Sequence, residues 1–201
     1  MRVQTQVPAR FQQWRSQIPQ LPSQEAAFEK WLFLHLASVL LADKAGELLT
    51  LSSKEFGLSM DWRIERLKAL AETWACRARV LHETERTTKV IIYQPDLVEQ
   101  ALAELEPELL CGQLGYPTSL TAALFVTELA QRWQNTQCIP HEVGLALGYP
   151  VKDVLGFMGL CRLECTGMCG WRIYGDPKQS HRLSQQFFQA KQKAAVLMAT
   201  C

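Results

Sequence analysis

A histidine beside a glutamate can hold, take or pass a proton, and the chain has that pair in Pro140-His141-Glu142. Proline costs nothing in the first turn of a helix, because the N–H it lacks would be unpaired there. A carboxylate in that turn suits the positive end of the helix dipole, and the same field disfavours an imidazolium. The pattern therefore predicts a neutral ring at His141, able to serve as a general base, a metal ligand or a hydrogen-bond partner. Tyr149, Tyr174 and Lys44 complete a candidate ligand site with His141 and Glu142. The plainer reading is that His141 caps its own helix and bonds a backbone carbonyl. Neither a cofactor nor a full catalytic set follows from these residues.

The thiols offer a second chemistry. Cys161, Cys165 and Cys169 recur at a spacing of four, which would align them on one helix face. They are secondary candidates for a metal site, and Cys138 and His141 could join them. Zinc and iron–sulfur sites usually include a Cys-x-x-Cys pair, which the chain lacks, and Gly167 and Gly170 argue that the helix ends before Cys169. Buried, inert thiols are the simpler expectation. An enzyme using His141 as base would need a thiol such as Cys169, or a metal, beside it.

Two further classes can be argued down. Gly144 and Gly148 fit close packing and a left-handed helix stop better than a phosphate cradle, and no Gly-rich phosphate loop or dinucleotide fingerprint is present. Residues 142–147, the turn Gly148-Tyr149-Pro150 and residues 151–158 imitate a helix-turn-helix. A reading helix, however, needs polar and basic residues for base edges and phosphates. This one offers Lys152 and Asp153, then Val154, Leu155, Gly156, Phe157 and Met158.

These residues must be held by a framework, and composition bounds it. In 201 residues, 21 basic and 20 acidic side chains leave a net charge of +1. That gives no overall field for nucleic acid or an anionic membrane. With 48% hydrophobic and 20% charged residues, a packed core is expected. The longest apolar run, residues 31–41, is broken by His35 and Ser38 and falls short of the roughly 20 residues of a membrane span. A polar, Gln-rich start without an apolar segment, and an odd count of 7 cysteines, point to a cytoplasmic protein with reduced thiols. The leading expectation is a ligand- or partner-binding accessory protein whose partner is a small molecule or another protein, with no membrane; an enzyme using His141 as base is the first alternative, and a helix-turn-helix regulator, the one reading that needs nucleic acid, ranks last.

Residues 1–22, with Pro8, Pro19 and Pro22, read as a loosely ordered leader. Residues 23–201 read as a single α+β domain. Ser23 caps a helix through about residue 41, and a link over 43–51 carries Lys44 and Gly46. Asp61 caps the next helix, with Ile64, Leu67, Ala71 and Trp74 at helical spacing. Alternation over residues 77–83, polar residues 83–86 and a β-branched run over 88–93 predict a β-hairpin. The continuous apolar run Val90-Ile91-Ile92 predicts that its second strand is central and covered on both faces. Helices follow at about 95–105, 118–133, 140–147 and 151–160, then a strand over 171–174. Asp176-Pro177 starts the last helix. The sum is helix-rich α+β, around a small sheet of about three strands that contains the hairpin.

The run from Pro140 to Phe157 also resembles a bacterial family called domain of unknown function 3793. Its members share a Pro-His-Glu motif, a Leu-Gly-Tyr-Pro turn (here Leu147-Gly148-Tyr149-Pro150) and Asp-Val-x-Gly-Phe (here Asp153 to Phe157). Residues 90–97 are similar to the family's strand ending in Tyr and its Pro-led helix, and Lys44 falls where the family tends to have a lysine. Trp171-Arg172-Ile173-Tyr174-Gly175-Asp176 is similar to its Trp-Lys-Val-Tyr-Gly-Asp strand. The likeness spans roughly residues 30–190. One departure is that Cys169-Gly170 abuts Trp171, where the family often has an aromatic residue between. The resemblance implies a fold but no activity.

Overall fold

In the computed structural model, which describes residues 9–199, the centre is a three-stranded antiparallel sheet. Its strands are β1 (Gly46–Ser52), β2 (Arg77–Glu83) and β3 (Thr87–Tyr93), in the order β1-β3-β2. The hairpin expectation holds, and β3 is the central strand, with Val90, Ile91 and Ile92 at 1% exposure or less. Side chains alternate across a strand, so Val90 and Ile92 enter one core while Ile91 and Tyr93 enter another on the opposite face. A register shift between Val80 and His82 leaves Leu81 as a bulge residue, fully buried.

One face of the sheet is covered by α1 (Ala9–Gln17), α2 (Ser23–His35), α3 (Ala37–Leu41) and α4 (Met60–Thr73). Phe11, Trp14, Phe33 and Trp74 interlock there, with ring centroids 4.9–6.2 Å apart. The leader is therefore not loose over its described part. α1 and the 3-10 turn that follows it (Ile18–Gln20) place Phe11, Trp14 and Ile18 on one buried stripe, and the fully buried Glu29 accepts hydrogen bonds from Trp14 Nε1 (2.7 Å) and Arg66 Nε (2.6 Å). Residues 1–8 of that leader lie outside the described residues. α4 is capped by Ser59, whose hydroxyl accepts from the Trp62 N–H at 3.2 Å, rather than by Asp61.

The other face is covered by α5 (Pro95–Ala103), α6 (Ala122–Thr136), α7 (Val143–Ala146) and α8 (Val151–Phe157). A π-helical turn, Leu109–Gln113, lies between α5 and α6. A separate two-stranded ribbon, β4 (Cys165–Met168) with β5 (Arg172–Tyr174), follows α8. The long α9 (Lys178–Ala199) then returns across α2 and α3.

Three expectations change. The helix over 23–41 divides at Leu36 into α2 and α3. The link over 43–51 is mostly strand β1, because the buried β3 needs a second hydrogen-bonding neighbour. The strand near 171–174 does not join the central sheet but pairs with β4. Among the described residues, no helix is long and apolar enough to cross a membrane.

Candidate functional site

The segment Pro140 to Tyr174 folds so that its two ends meet. Gly144 and Gly148 supply the close packing and the left-handed stop that were expected of them. A Cβ at Gly144 would lie 2.8 Å from Val154, so α7 and α8 touch there. Gly148 turns the chain at a φ of 74°, against the backbone of Ala45. At Gly156 a Cβ would fall 2.3 Å from the Tyr174 ring, which is how β5 docks on α8.

Asp153 fastens that arrangement. Its carboxylate is buried and accepts four hydrogen bonds: Lys152 Nζ at 2.6 Å and the Tyr174 N–H at 2.8 Å on Oδ1, Ser180 Oγ at 2.6 Å and Trp171 Nε1 at 2.8 Å on Oδ2. Burial alone would raise its pKa, but the donors from Lys152, Ser180, Tyr174 and Trp171 together hold it below the usual carboxylate value. One side chain on α8 thus fixes Trp171, β5 and the start of α9.

Trp171, once fixed, stacks on Tyr149 at 4.6 Å between centroids and 18° between planes. The stacked pair separates two clefts. The larger, about 410 Å³, lies between the loop before α7, α8 and the ribbon. Its walls include Val143, Leu147, Phe157 and Trp171, with His141 and Arg172 as the polar groups at its mouth. The His141 ring meets Phe157 edge-on at 4.9 Å, and the Arg172 guanidinium sits 5.7 Å from the same ring centre.

The second cleft, about 280 Å³, lies on the other side of the pair, against α9 and the start of β1. Lys44 reaches it from the turn after α3. Its Nζ pairs with Glu47 at 2.7 Å and stands 5.7 Å and 5.5 Å from the ring centres of Tyr149 and Phe187. Burial lowers the Lys44 pKa, Glu47 pulls it back up and Lys191 pulls it down again; the net direction is down. Tyr149 is pushed above its ordinary value by burial, with Glu47 and Cys169 adding to it. Cys169 also lines this cleft, and burial pushes its thiol up, against the pull of hydrogen bonds from Ser184 and Trp171.

The sequence candidates therefore separate. His141 and Tyr149 share the apolar cleft, and Tyr149 and Lys44 share the polar one. Glu142 does not join His141. It turns inward, accepting from Tyr116 Oη at 3.1 Å and Arg132 Nη1 at 2.8 Å. Arg132 lies 4.1 Å above the Tyr116 ring, so this group is a packing device; burial and the Glu142 charge raise the Tyr116 pKa. Tyr174 packs on Gly156 and serves through its backbone, donating to Asp153 and accepting from Lys152 at 2.7 Å.

Cys161, Cys165 and Cys169 do not converge either. Among the described residues no three His, Cys, Asp or Glu side chains are placed to hold a metal ion. His141 and Cys169 line different clefts, so the base–thiol pair is not assembled. In the imitation helix-turn-helix, Lys152 points into the Asp153 cluster and Val154 is buried, leaving α8 no basic outer face. Trp171, Arg172 and Glu47, which line these clefts, carry no local sequence signal for it, and neither does the role of Asp153 in holding the arrangement together.

A family model described as Protein of unknown function (DUF3793) matches residues 32–201, from within α2 to the end of the chain. No curated protein and no solved structure matches.

Proposed function

The chain belongs to the DUF3793 family, whose description carries no activity, and on that premise we propose, from the apolar cleft, that it binds a small, flat, mostly apolar molecule. The observation that carries this reading is the cleft's make-up: about 410 Å³, walled by Trp171, Phe157 and aliphatic side chains, with His141 and Arg172 at the mouth. Small-molecule sites are typically apolar hollows of roughly 300–1,000 Å³ with a few polar groups that fix orientation. Arg172 suits an anionic or acceptor group at one end of the ligand, and His141 can donate or accept beside it. Phe157 is still 45% exposed in the free protein, so a ligand has apolar surface left to cover.

Anilinonaphthalene sulfonate, a flat apolar molecule with one anionic group, is a suitable first probe. Saturable fluorescence enhancement with a single site is expected. Phe157→Ala removes the exposed half of a Phe contact, about 1–1.5 kcal/mol, and raises Kd roughly tenfold. Arg172→Glu weakens the same probe by opposing its sulfonate. Binding unchanged in both variants, with folding intact, would remove the proposal.

A second reading, a protein partner that lays an apolar side chain in the cleft, is favoured by the exposure of Ile139 (39%) and Met168 (76%) at its rim. A partner of that kind is displaced from the protein by the saturating probe; a small-molecule site gives no such partner to displace.

A further inference from the structure

We propose that the second cleft is a site for small carbonyl compounds, a 2-oxo acid in the first instance, with Lys44 as the nucleophile that forms an imine. The assignment does not rest on the reading given for the apolar cleft.

The placement of Lys44 is over-determined. Asp43 before it adopts a left-handed φ of 48°. The Lys44 N–H donates to the Ser38 carbonyl at 3.2 Å. Gln94, just past β3, donates to the carbonyls of Val39 at 2.8 Å and Lys44 at 3.4 Å, and its own N–H bonds Ala45. Three elements thus pin one turn, and the side chain it delivers is 8% exposed, with that exposure in the cleft.

What surrounds the amine suits addition to a carbonyl. A lysine reacts as the free amine, and desolvation or a neighbouring cation increases that form. Both are here: Nζ is buried, and Lys191 of α9 lines the same cleft; the Glu47 carboxylate and the faces of Tyr149 and Phe187 favour the ammonium, but burial is the largest effect and the net direction is down. Glu47, at 2.7 Å, is placed to carry the protons. Lys191 is exposed and offers a cation for the carboxylate of a 2-oxo acid.

The step balances without any oxidant. The Lys44 nitrogen adds to the carbonyl carbon, the former carbonyl oxygen becomes a hydroxyl, and a carbinolamine forms. Glu47 takes a proton released by nitrogen and returns it to that hydroxyl, which leaves as water. Two N–H bonds and the C=O bond are broken; a C=N bond and two O–H bonds are formed.

The test compares lysines within one folded protein, so it does not depend on a variant folding. The protein is incubated with pyruvate and cyanoborohydride, which reduces an imine to a stable amine, and the modified lysines are located by peptide mass mapping. Lys44 should be modified at least about tenfold faster than the exposed Lys68 and Lys178, because a desolvated amine beside a second cation is more often free and is held in the cleft next to the carbonyl. The preference should vanish in urea. Lys191→Met removes both the cation that favours the free amine and the carboxylate partner, so it should slow the reaction with pyruvate more than that with propanal, which has no carboxylate. Modification of Lys44 no faster than Lys68 and Lys178, or a preference that survives unfolding, would overturn the site. A pyruvate rate that falls no more than the propanal rate in Lys191→Met would overturn the 2-oxo acid assignment.

Discussion

Replacing Asp153 by asparagine tests the whole account of how the clefts are held. All four partners of that carboxylate are donors: an ammonium, a hydroxyl, an indole N–H and a backbone N–H. An amide keeps the shape but turns one acceptor oxygen into a donor. Whichever way it rotates, it faces two donors with a third; only the Ser180 hydroxyl can reverse its role. The Asp153–Lys152 charge pair is lost as well, with the carboxylate 1% exposed. Breaking a buried pair of this kind costs about 3–5 kcal/mol, and at 2–4 °C per kcal/mol for a chain of this size the melting temperature should fall by roughly 6–20 °C. Circular dichroism melts read the change, and hydrogen exchange should show the Tyr174 amide losing protection first. Acid adds a signed check. The folded pKa lies below the unfolded value, so the stabilisation is complete above the unfolded pKa and is lost as pH falls through the folded one. The gap between wild type and Asp153→Asn should therefore be full at neutral pH and close only in strong acid. Asp176→Asn, on an exposed carboxylate 3.9 Å from Lys178, should melt like wild type. An Asp153→Asn protein melting within 2 °C of wild type, or a gap that widens on acidification, would refute the reasoning.

Two other substitutions have opposite expected signs. Arg63 is fully buried, and among the described residues none of its guanidinium nitrogens has a hydrogen-bond partner, so Arg63→Met should stabilise by about 1–4 kcal/mol, read as a rise in the urea midpoint. Gly156→Ala pushes a methyl to 2.3 Å from the Tyr174 ring; it should cost about 1–3 kcal/mol and loosen the ribbon, seen as faster proteolysis between β4 and β5.

The framework was legible where local pattern and long-range demand agreed. Val90-Ile91-Ile92 is central because a run of three apolar residues has no solvent face, and the structure gives each face its own core. β1 was missed because Lys44 and Gly46 are loop signals and Leu48-Leu49-Thr50-Leu51 lacks β-branched residues; pairing with β3 decides its conformation. α1 was hidden by the prolines on either side of it and by its own glutamines, although Phe11, Trp14 and Ile18 stand at helical spacing. The motif predicts one group of side chains, and the structure divides it. His141 and Glu142 are neighbours in a turn, so their side chains diverge, and the partner that claims Glu142, Tyr116, lies 26 residues away. Lys44 and Trp171 reach one cleft from opposite ends of the chain, a contact that no local spacing encodes.

The stacked rings of Tyr149 and Trp171 are a party wall, and that ties the two hollows together thermodynamically. A molecule that fits one side only when the wall leans toward the other must weaken whatever sits there, and the weakening runs equally in both directions, because linkage between two binding equilibria is reciprocal. A molecule that accepts the wall where it stands leaves its neighbour's affinity untouched. Two ligands in these hollows would behave as one device or as two according to how far a single pair of rings has to move.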